Sequence, residues 1–276
     1  MAASKNKAWY LYAGIGVIAL IFLIFFYGPE KNDEKGFKDN DSSGNNKNIE
    51  KKVFTELAPG AGPAGQIIHN KYYTLSYNKQ YKQANWVCYK LTSQMLKNKT
   101  GRTDDFRPDA EAGAGAATPE DYKNSGYHRG HLCPAGDMKF SAKAMSETFV
   151  MTNISPQDAD LDGGIWRELE EQVREWAREH KELYITTGPV FGKHVKTIGR
   201  NKVAVPEYFF KVILDYKQPG VKGIGFIFKN EACADQLPFL AVSIDSVEAF
   251  TGIDFFSALP DADEQKIEKT ARWSMW

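Results

Sequence analysis

Apolar and polar positions follow three different patterns along this chain. Ala8 to Tyr27 is an uncharged, mostly apolar run, about the ~20 residues that a helix rising ~1.5 Å per residue needs to cross a hydrocarbon core. It predicts a single transmembrane anchor over 8–27 behind a short tail, 1–7. The run is longer than the apolar part of a secretory signal, and Phe25-Phe26-Tyr27-Gly28-Pro29 offers no small-x-small cleavage site, so the anchor is read as uncleaved. Residues 28–52 are mainly Asn, Asp, Lys, Gly and Ser, with too little apolar surface to offset the entropy of ordering. Ala58-Pro59-Gly60-Ala61-Gly62-Pro63 carries that character onward, which predicts a flexible linker over 28–65 and a folded domain over 66–276.

Within the domain the pattern becomes that of a globular fold. Tyr72–Asn78 and Asn85–Leu91 are aromatic and β-branched with a polar stretch between them, which predicts a hairpin. Arg102 to Gly126 is polar and rich in Gly, Ala and Pro, a long loop of the kind that is usually functional or disordered. Strands are expected at Phe149–Ile154, Glu182–Val190, Glu207–Tyr216, Gly223–Lys229 and Phe239–Ser243. Ile165, Trp166, Leu169, Val173, Trp176 and Ala177 recur at helical spacing and predict an amphipathic helix from about Gly163 to Glu179. Shorter helices are expected at Asp245–Phe250 and Asp261–Arg272. Helices interrupt strands without regular βαβ alternation, which favours an α+β fold with a mainly antiparallel sheet.

Charge narrows the function only by its location. The 35 basic and 35 acidic residues cancel, so there is no general basic footprint, and contact with nucleic acid would need a local patch. Cys88, Cys133 and Cys233 are too few and too far apart for a disulfide framework or a paired-cysteine zinc site. One pair among them is allowed, and Cys88 and Cys233 also read as small buried hydrophobes.

The densest polar cluster is Tyr127-His128-Arg129-Gly130-His131-Leu132-Cys133-Pro134-Ala135-Gly136-Asp137. It admits three readings: a metal site on His128, His131 and Cys133, a general-base histidine beside a phosphate-binding arginine, or a polar turn. If the segment is extended, Arg129 and His131 share a face; Arg129 could equally be a structural ion-pair partner. Downstream, Asn153-Ile154-Ser155-Pro156-Gln157 precedes Asp160 and Asp162, and the helix beyond carries Glu168, Glu170 and Glu171. Asp162 falls where the helix is expected to begin. It is either an N-cap or a hard oxygen ligand for Mg²⁺, with Glu170 two turns further on a nearby face.

These motifs, in this order, resemble the DNA/RNA non-specific endonucleases of the ββα-metal (His-Me finger) class, the family that includes the mitochondrial endonuclease G type. The likeness runs from Tyr-His-Arg-Gly-His-Leu through Asn-Ile-Ser-Pro-Gln to Gly-Gly-Ile-Trp-Arg-Glu-Leu-Glu. Arg102–Asp109, Thr187-Gly188-Pro189, Val203–Lys211 and Ile244–Gly252 extend it over about residues 66–260. The resemblance implies a ββα-metal fold with a central antiparallel sheet flanked by helices, and hydrolysis of phosphodiester bonds in both DNA and RNA. It implies His131 as general base, Arg102 as a phosphate and transition-state contact, and Asn153 as an active-site polar group. Asp162 would be the metal ligand, with Glu170 orienting a water on that metal, Mg²⁺ as cofactor and Mn²⁺ as a substitute.

The sequence departs from the family pattern twice. The residue ahead of Arg-Gly-His is usually Asp and here is His128, and the usual Asn ligand is here Asp162. Asp remains a suitable oxygen donor, whereas His128 is not a permanent anion. The two departures together motivate an alternative, a catalytically weakened nuclease-like domain that binds nucleic acid or a protein partner.

The chemistry is coherent on its own terms. A neutral imidazole can take a proton from water, and Arg102 and Arg129 can contact phosphate oxygens, which carry no base information and so suit a sugar- and sequence-tolerant enzyme. The expected partners are DNA and RNA through the phosphate backbone and a membrane through the N-terminal helix, with room for a homodimer and for an inhibitor protein. Two lysines precede the span and four, Lys31, Lys35, Lys38 and Lys47, follow it closely, a count that weakly favours a cytoplasmic domain, although large C-terminal domains can translocate regardless of flanking charge. The domain is expected on the periplasmic or other extracytoplasmic side, because an unrestrained nuclease beside the chromosome would be harmful.

Overall fold

A computed structural model describes residues 57–217 and 220–276. Both the expected anchor, 8–27, and most of the expected linker lie outside the described residues. No helix among the described residues is long and apolar enough to cross a membrane.

Eleven strands organise the described residues. They are β1 (Gln66–His69), β2 (Tyr73–Asn78), β3 (Gln83–Thr92), β4 (His128–His131), β5 (Ile154–Gln157), β6 (Glu182–Val190), β7 (Thr197–Ile198), β8 (Val203–Ala204), β9 (Tyr208–Asp215), β10 (Lys222–Lys229) and β11 (Ala241–Val242). Seven of them form one sheet in the order β1-β2-β3-β6-β9-β10-β11, with every pairing antiparallel. The pairs β4-β5 and β7-β8 stand apart as two-stranded ribbons. The α+β architecture with a mainly antiparallel central sheet is therefore as expected.

Both faces of the large sheet are covered, which is why its strands read as nearly continuous apolar runs. On β3, Val87, Tyr89 and Leu91 join one core while Trp86 and Cys88 join the other. The first core packs against the helix Ile165–His180, whose Ile165, Trp166, Leu169, Val173, Trp176 and Ala177 are all buried. The second is closed by the C-terminal segments, through Ile244, Val247, Phe255, Phe256 and Ile267. On β9, Phe209 and Ile213 face the long helix, and between them stands Lys211, fully buried on the same alternation.

Several local expectations differ from the structure. Phe149–Ile154 is not a strand: Met151–Asn153 forms a 3-10 turn and the strand follows as β5. The Asn153 side chain accounts for this, because it bonds the backbone of Cys133 and Thr148 and holds the chain in a bend. Phe239–Ser243 divides into the end of a short helix, Leu237–Leu240, and the two-residue β11. The packed chain also begins before Gln66. Leu57 and Ala58 lie against the second core, Gly60 N–H donates to Asp254 at 3.0 Å, and Asn85 donates to the Pro63 carbonyl at 3.1 Å. Composition marks a Gly/Pro segment as flexible but cannot show that the folded domain supplies partners for its backbone.

The three cysteines are all free, with Cys88 and Cys133 buried.

Candidate active site

The β4-β5 ribbon presents the histidine motif. His128 pairs with Gln157, Arg129 with Pro156, Gly130 with Ser155 and His131 with Ile154. Pro156 is tolerated because the ribbon has only two strands, so an N–H is not required of it. Gly130 is needed for close approach, since a Cβ there would collide with the Gln157 side chain lying across it. Asn153 sits at the root of the ribbon. Its Oδ1 accepts from Cys133 N–H at 2.8 Å, and its Nδ2 donates to the Cys133 and Thr148 carbonyls at 3.0 and 2.9 Å. Asn153, expected as an active-site polar group, thus stands behind the histidine in the structure. It is buried, with its amide committed to backbone, and it fixes the segment that carries His131.

The long loop from Arg102 to Gly126 folds back beside the ribbon. Arg107 and Phe149 pair through backbone, as do Met151 and Arg107, and Thr152 donates to Asp109. Those ties bring Phe106 and Phe149 edge to face, 4.9 Å between centroids, with the His131 ring 5.6 Å from Phe106 and 4.9 Å from Phe149. The Arg129 guanidinium lies over Phe106 at 4.1 Å and that of Arg102 over Phe149 at 4.9 Å. As the alternation of an extended segment requires, Arg129 and His131 meet the same aromatic ring. Asp104, held at a positive φ of 49°, accepts from Arg102 Nε at 2.6 Å and sets the direction of that guanidinium.

This cage determines the state of His131. The ring is 9% exposed, and its Nε2 is buried without a partner. Burial, and then the charges of Arg102 and Arg129 against the opposing Asp104, pull its pKa down to about 3. The imidazole is therefore neutral over any ordinary working range. The unfolded chain, with a histidine near ~6.5, binds one proton more than the folded chain across the interval from 6.5 down to 3. Stability from this group is complete above pH 6.5 and declines as pH falls through that interval. Urea unfolding at pH 7, 6, 5 and 4 should show a steeper loss for the native chain than for His131→Phe, by one bound proton. Parallel curves would mean that His131 titrates normally in the fold.

In front of the cage lies an open cavity of about 630 Å³, lined by Arg102, Asp104, Phe106, Lys123, Tyr127, His128, Arg129 and Asp162, among others. Its lining sets three cations, Arg102, Lys123 and Arg129, against three acids, Asp104, Glu120 and Asp162, so the cations are there for a phosphate although the cavity carries no net positive charge. Asp162 is not a helix cap. It belongs to a separate short helix, Ala159–Gly163, capped by Asp158, and the long helix starts only after Gly164. Its Oδ2 is 2.9 Å from Nδ1 of His128. His128 thus turns to Asp162, His131 to the aromatic cage, and the Cys133 thiol is buried with its pKa raised by that burial. These three do not converge, and the zinc reading of the motif has no geometric support.

Glu170 is half-buried on the inner side of the long helix, and burial pushes its pKa up to about 7; Lys211 opposes the shift, while the charges of Asp137 and Asp162 add to it. Lys211 has no hydrogen-bond partner for Nζ, which sits 4.6 Å above the Trp166 ring, one turn before Glu170. Asp137, also buried, accepts from Tyr89 Oη and Arg174 Nη1, each at 2.9 Å. Glu170 thus stands in a buried charge network that also feels Asp162. Lys211, Phe106, Phe149 and Asp104 were not singled out from sequence. The one available signal was a lysine at an inward position of an otherwise apolar strand.

A cavity that offers carboxylates, an imidazole and guanidiniums together can hold a divalent cation and a phosphate side by side. The chain is similar to known nucleases in sequence and in fold. A family model described as DNA/RNA non-specific endonuclease matches residues 52–262. A nuclease of Nostoc sp. is 35% identical over 220 residues, covering 75% of this chain and 78% of the relative. Mitochondrial endonuclease G of Homo sapiens is 35% identical over 216 residues, with 72% and 73% covered. Nuclease C1 of Cunninghamella echinulata is 33% identical over 215 residues, with 72% and 85% covered. A chain of the crystal structure of the EndoG/EndoGI complex, titled for the mechanism of EndoG inhibition, superposes with a TM-score of 0.70 at 26% identity, covering 77% of this chain and 93% of that one.

Proposed function

The chain belongs to the DNA/RNA non-specific endonuclease family and is an endonuclease acting on nucleic acid; from that premise we propose that it is a membrane-anchored, Mg²⁺-dependent enzyme that cuts DNA and RNA without regard to sequence, with His131 as general base. The observation that carries this reading is the caged, neutral His131 flanked by two guanidiniums at the edge of a cavity that also contains Asp162.

Arg102 and Arg129 receive the phosphate, held by the aromatic rings beneath them so that little ordering is left to be done on binding. With Nε2 sealed inside, Nδ1 is the nitrogen that takes the proton as a water oxygen bonds to phosphorus and the ester P–O bond breaks. A base with so low a pKa is weak in the free protein. A bound phosphate diester would offset the charges of Arg102 and Arg129, relieving the smaller part of a shift whose largest cause is burial. Asp162 would hold the metal, with Glu170 behind it and Lys211 favouring the ionised form of Glu170. When bound, the cation supplies positive charge to the phosphate and the leaving oxygen. Contacts confined to phosphate and metal carry no base information, and Mn²⁺ should substitute for Mg²⁺.

Residues 8–27 would anchor the enzyme, with the domain on the extracytoplasmic side. An inhibitor protein is a reasonable partner, since one of the similar structures is titled as an inhibited complex. The test is digestion of plasmid DNA and structured RNA by the purified full-length chain, with and without EDTA. Both should be cut, with activity abolished by chelation and restored by Mg²⁺. Cleavage of only one of them, or cleavage indifferent to EDTA, would overturn the reading. Protease added outside spheroplasts should remove the domain, and protection would reverse the assigned topology.

A further inference from the structure

We propose that His128 is a second protein ligand of the divalent cation, which makes the site a mixed nitrogen and oxygen site selective for first-row transition dications such as Mn²⁺ over Mg²⁺. This rests on the reading in which Asp162 holds the metal. β4 and the short helix Ala159–Gly163 bring Nδ1 of His128 and Oδ2 of Asp162 to 2.9 Å, both on the wall of the cavity that also presents Arg102 and Arg129. Two donors bound at right angles to one octahedral ion, each about 2.1 Å from it, are about 3 Å apart. The pair therefore already has the spacing of adjacent ligands, and both side chains would turn toward an ion that displaces the hydrogen bond between them.

His128 is half-exposed, and the one side-chain hydrogen bond it makes among the described residues is to Asp162. It is free to swing toward an ion without leaving a buried group unpaired. The chemistry of the pair also explains why the two departures from the family pattern sit in one contact. A carboxylate at 128 facing Asp162 would set two like charges together, whereas an imidazole there is compatible with Asp162 and adds a donor. Imidazole nitrogen favours the first-row transition dications, with Mn²⁺ the weakest of them, over Mg²⁺, which dehydrates reluctantly and keeps oxygen and water, so Mn²⁺ is the mildest test of the added donor.

The experiment is a titration of the metal-free, full-length chain with Mn²⁺ and separately with Mg²⁺, together with pulsed electron paramagnetic resonance of the Mn²⁺-loaded chain. Native, His128→Asn and Asp162→Ala forms are compared, with circular dichroism confirming the fold of each. The native chain should show nitrogen coupling to Mn²⁺. His128→Asn should lose that coupling and weaken Mn²⁺ binding by about tenfold or more, with Mg²⁺ affinity changed far less. If Mn²⁺ binding is lost in Asp162→Ala but nitrogen coupling is absent from the native chain, or persists in His128→Asn, His128 is only a hydrogen-bond partner. In that case the proposal fails and the metal site on Asp162 stands. If Asp162→Ala binds both ions as the native chain does, the metal site itself is misplaced and both readings fail together.

Discussion

His131→Ala should lower the rate of DNA and RNA cleavage by about 10²–10⁴-fold while the chain stays folded and still binds nucleic acid. Folding should survive because His131 makes no hydrogen bond whose loss would orphan a partner, and Asn153 and the four paired residues of β5 hold the ribbon independently. Binding should survive because Arg102 and Arg129 stay on their rings. His128→Ala removes a half-exposed side chain that pairs with Asp162, so any loss it causes should be recovered at higher metal concentration, unlike that of His131→Ala. Single-turnover cleavage of a labelled duplex by the two variants separates them. A dead His128→Ala beside an active His131→Ala would assign the base to the wrong histidine.

The second large effect concerns Asp162. Asp162→Ala removes a carboxylate from the cavity wall and should reduce cleavage to near background at any practical Mg²⁺ concentration. Asp162→Asn keeps an oxygen donor but loses the charge, so it should remain active with its metal midpoint moved to higher Mg²⁺. A Mg²⁺ titration of initial rate for the three forms at one pH is the check. Equal midpoints and equal maximal rates in all three would leave Asp162 as nothing more than the hydrogen-bond partner of His128.

What the sequence revealed about this protein depended on how local the cause was. The long helix was legible because six apolar residues recur on one face, and each is buried. The shared face of Arg129 and His131 was legible once the segment was taken as extended, because strand geometry alone sets it. The role of Asp162 was legible only as a choice between two readings. The structure removes the cap by placing a separate turn of helix, capped by Asp158, ahead of the long one. The backbone bonds of Asn153 were not legible because they reach Cys133, twenty residues earlier in the chain. The aromatic cage was not legible at all, because Phe106 and Phe149 look like ordinary core residues until the loop is folded against the ribbon. Lys211 was passed over for the same reason, since its significance lies in Glu170 and Trp166 on the helix packed across from it.

These particulars bear on how the site works. A histidine in water would be half-charged near neutrality, whereas this one is held neutral by burial and by two cations that a phosphate would offset. Arg102→Ala and Arg129→Ala each remove one of those cations and one phosphate contact, so both should weaken binding more than they alter the protonation of His131, which burial dominates.

The measurement that bears most directly on His131 as the base is cleavage of a thymidine phosphodiester whose leaving group is p-nitrophenolate. That group departs without a proton or a cation to help it, while the attacking water still needs a base. His131→Ala should remain slower than the native enzyme by at least about 10²-fold on this substrate, as on DNA. Asp162→Ala should recover part of its lost rate. A His131→Ala enzyme that matches the native rate on the nitrophenyl ester while failing on DNA would contradict the assignment, and would place His131 at the leaving oxygen as an acid instead.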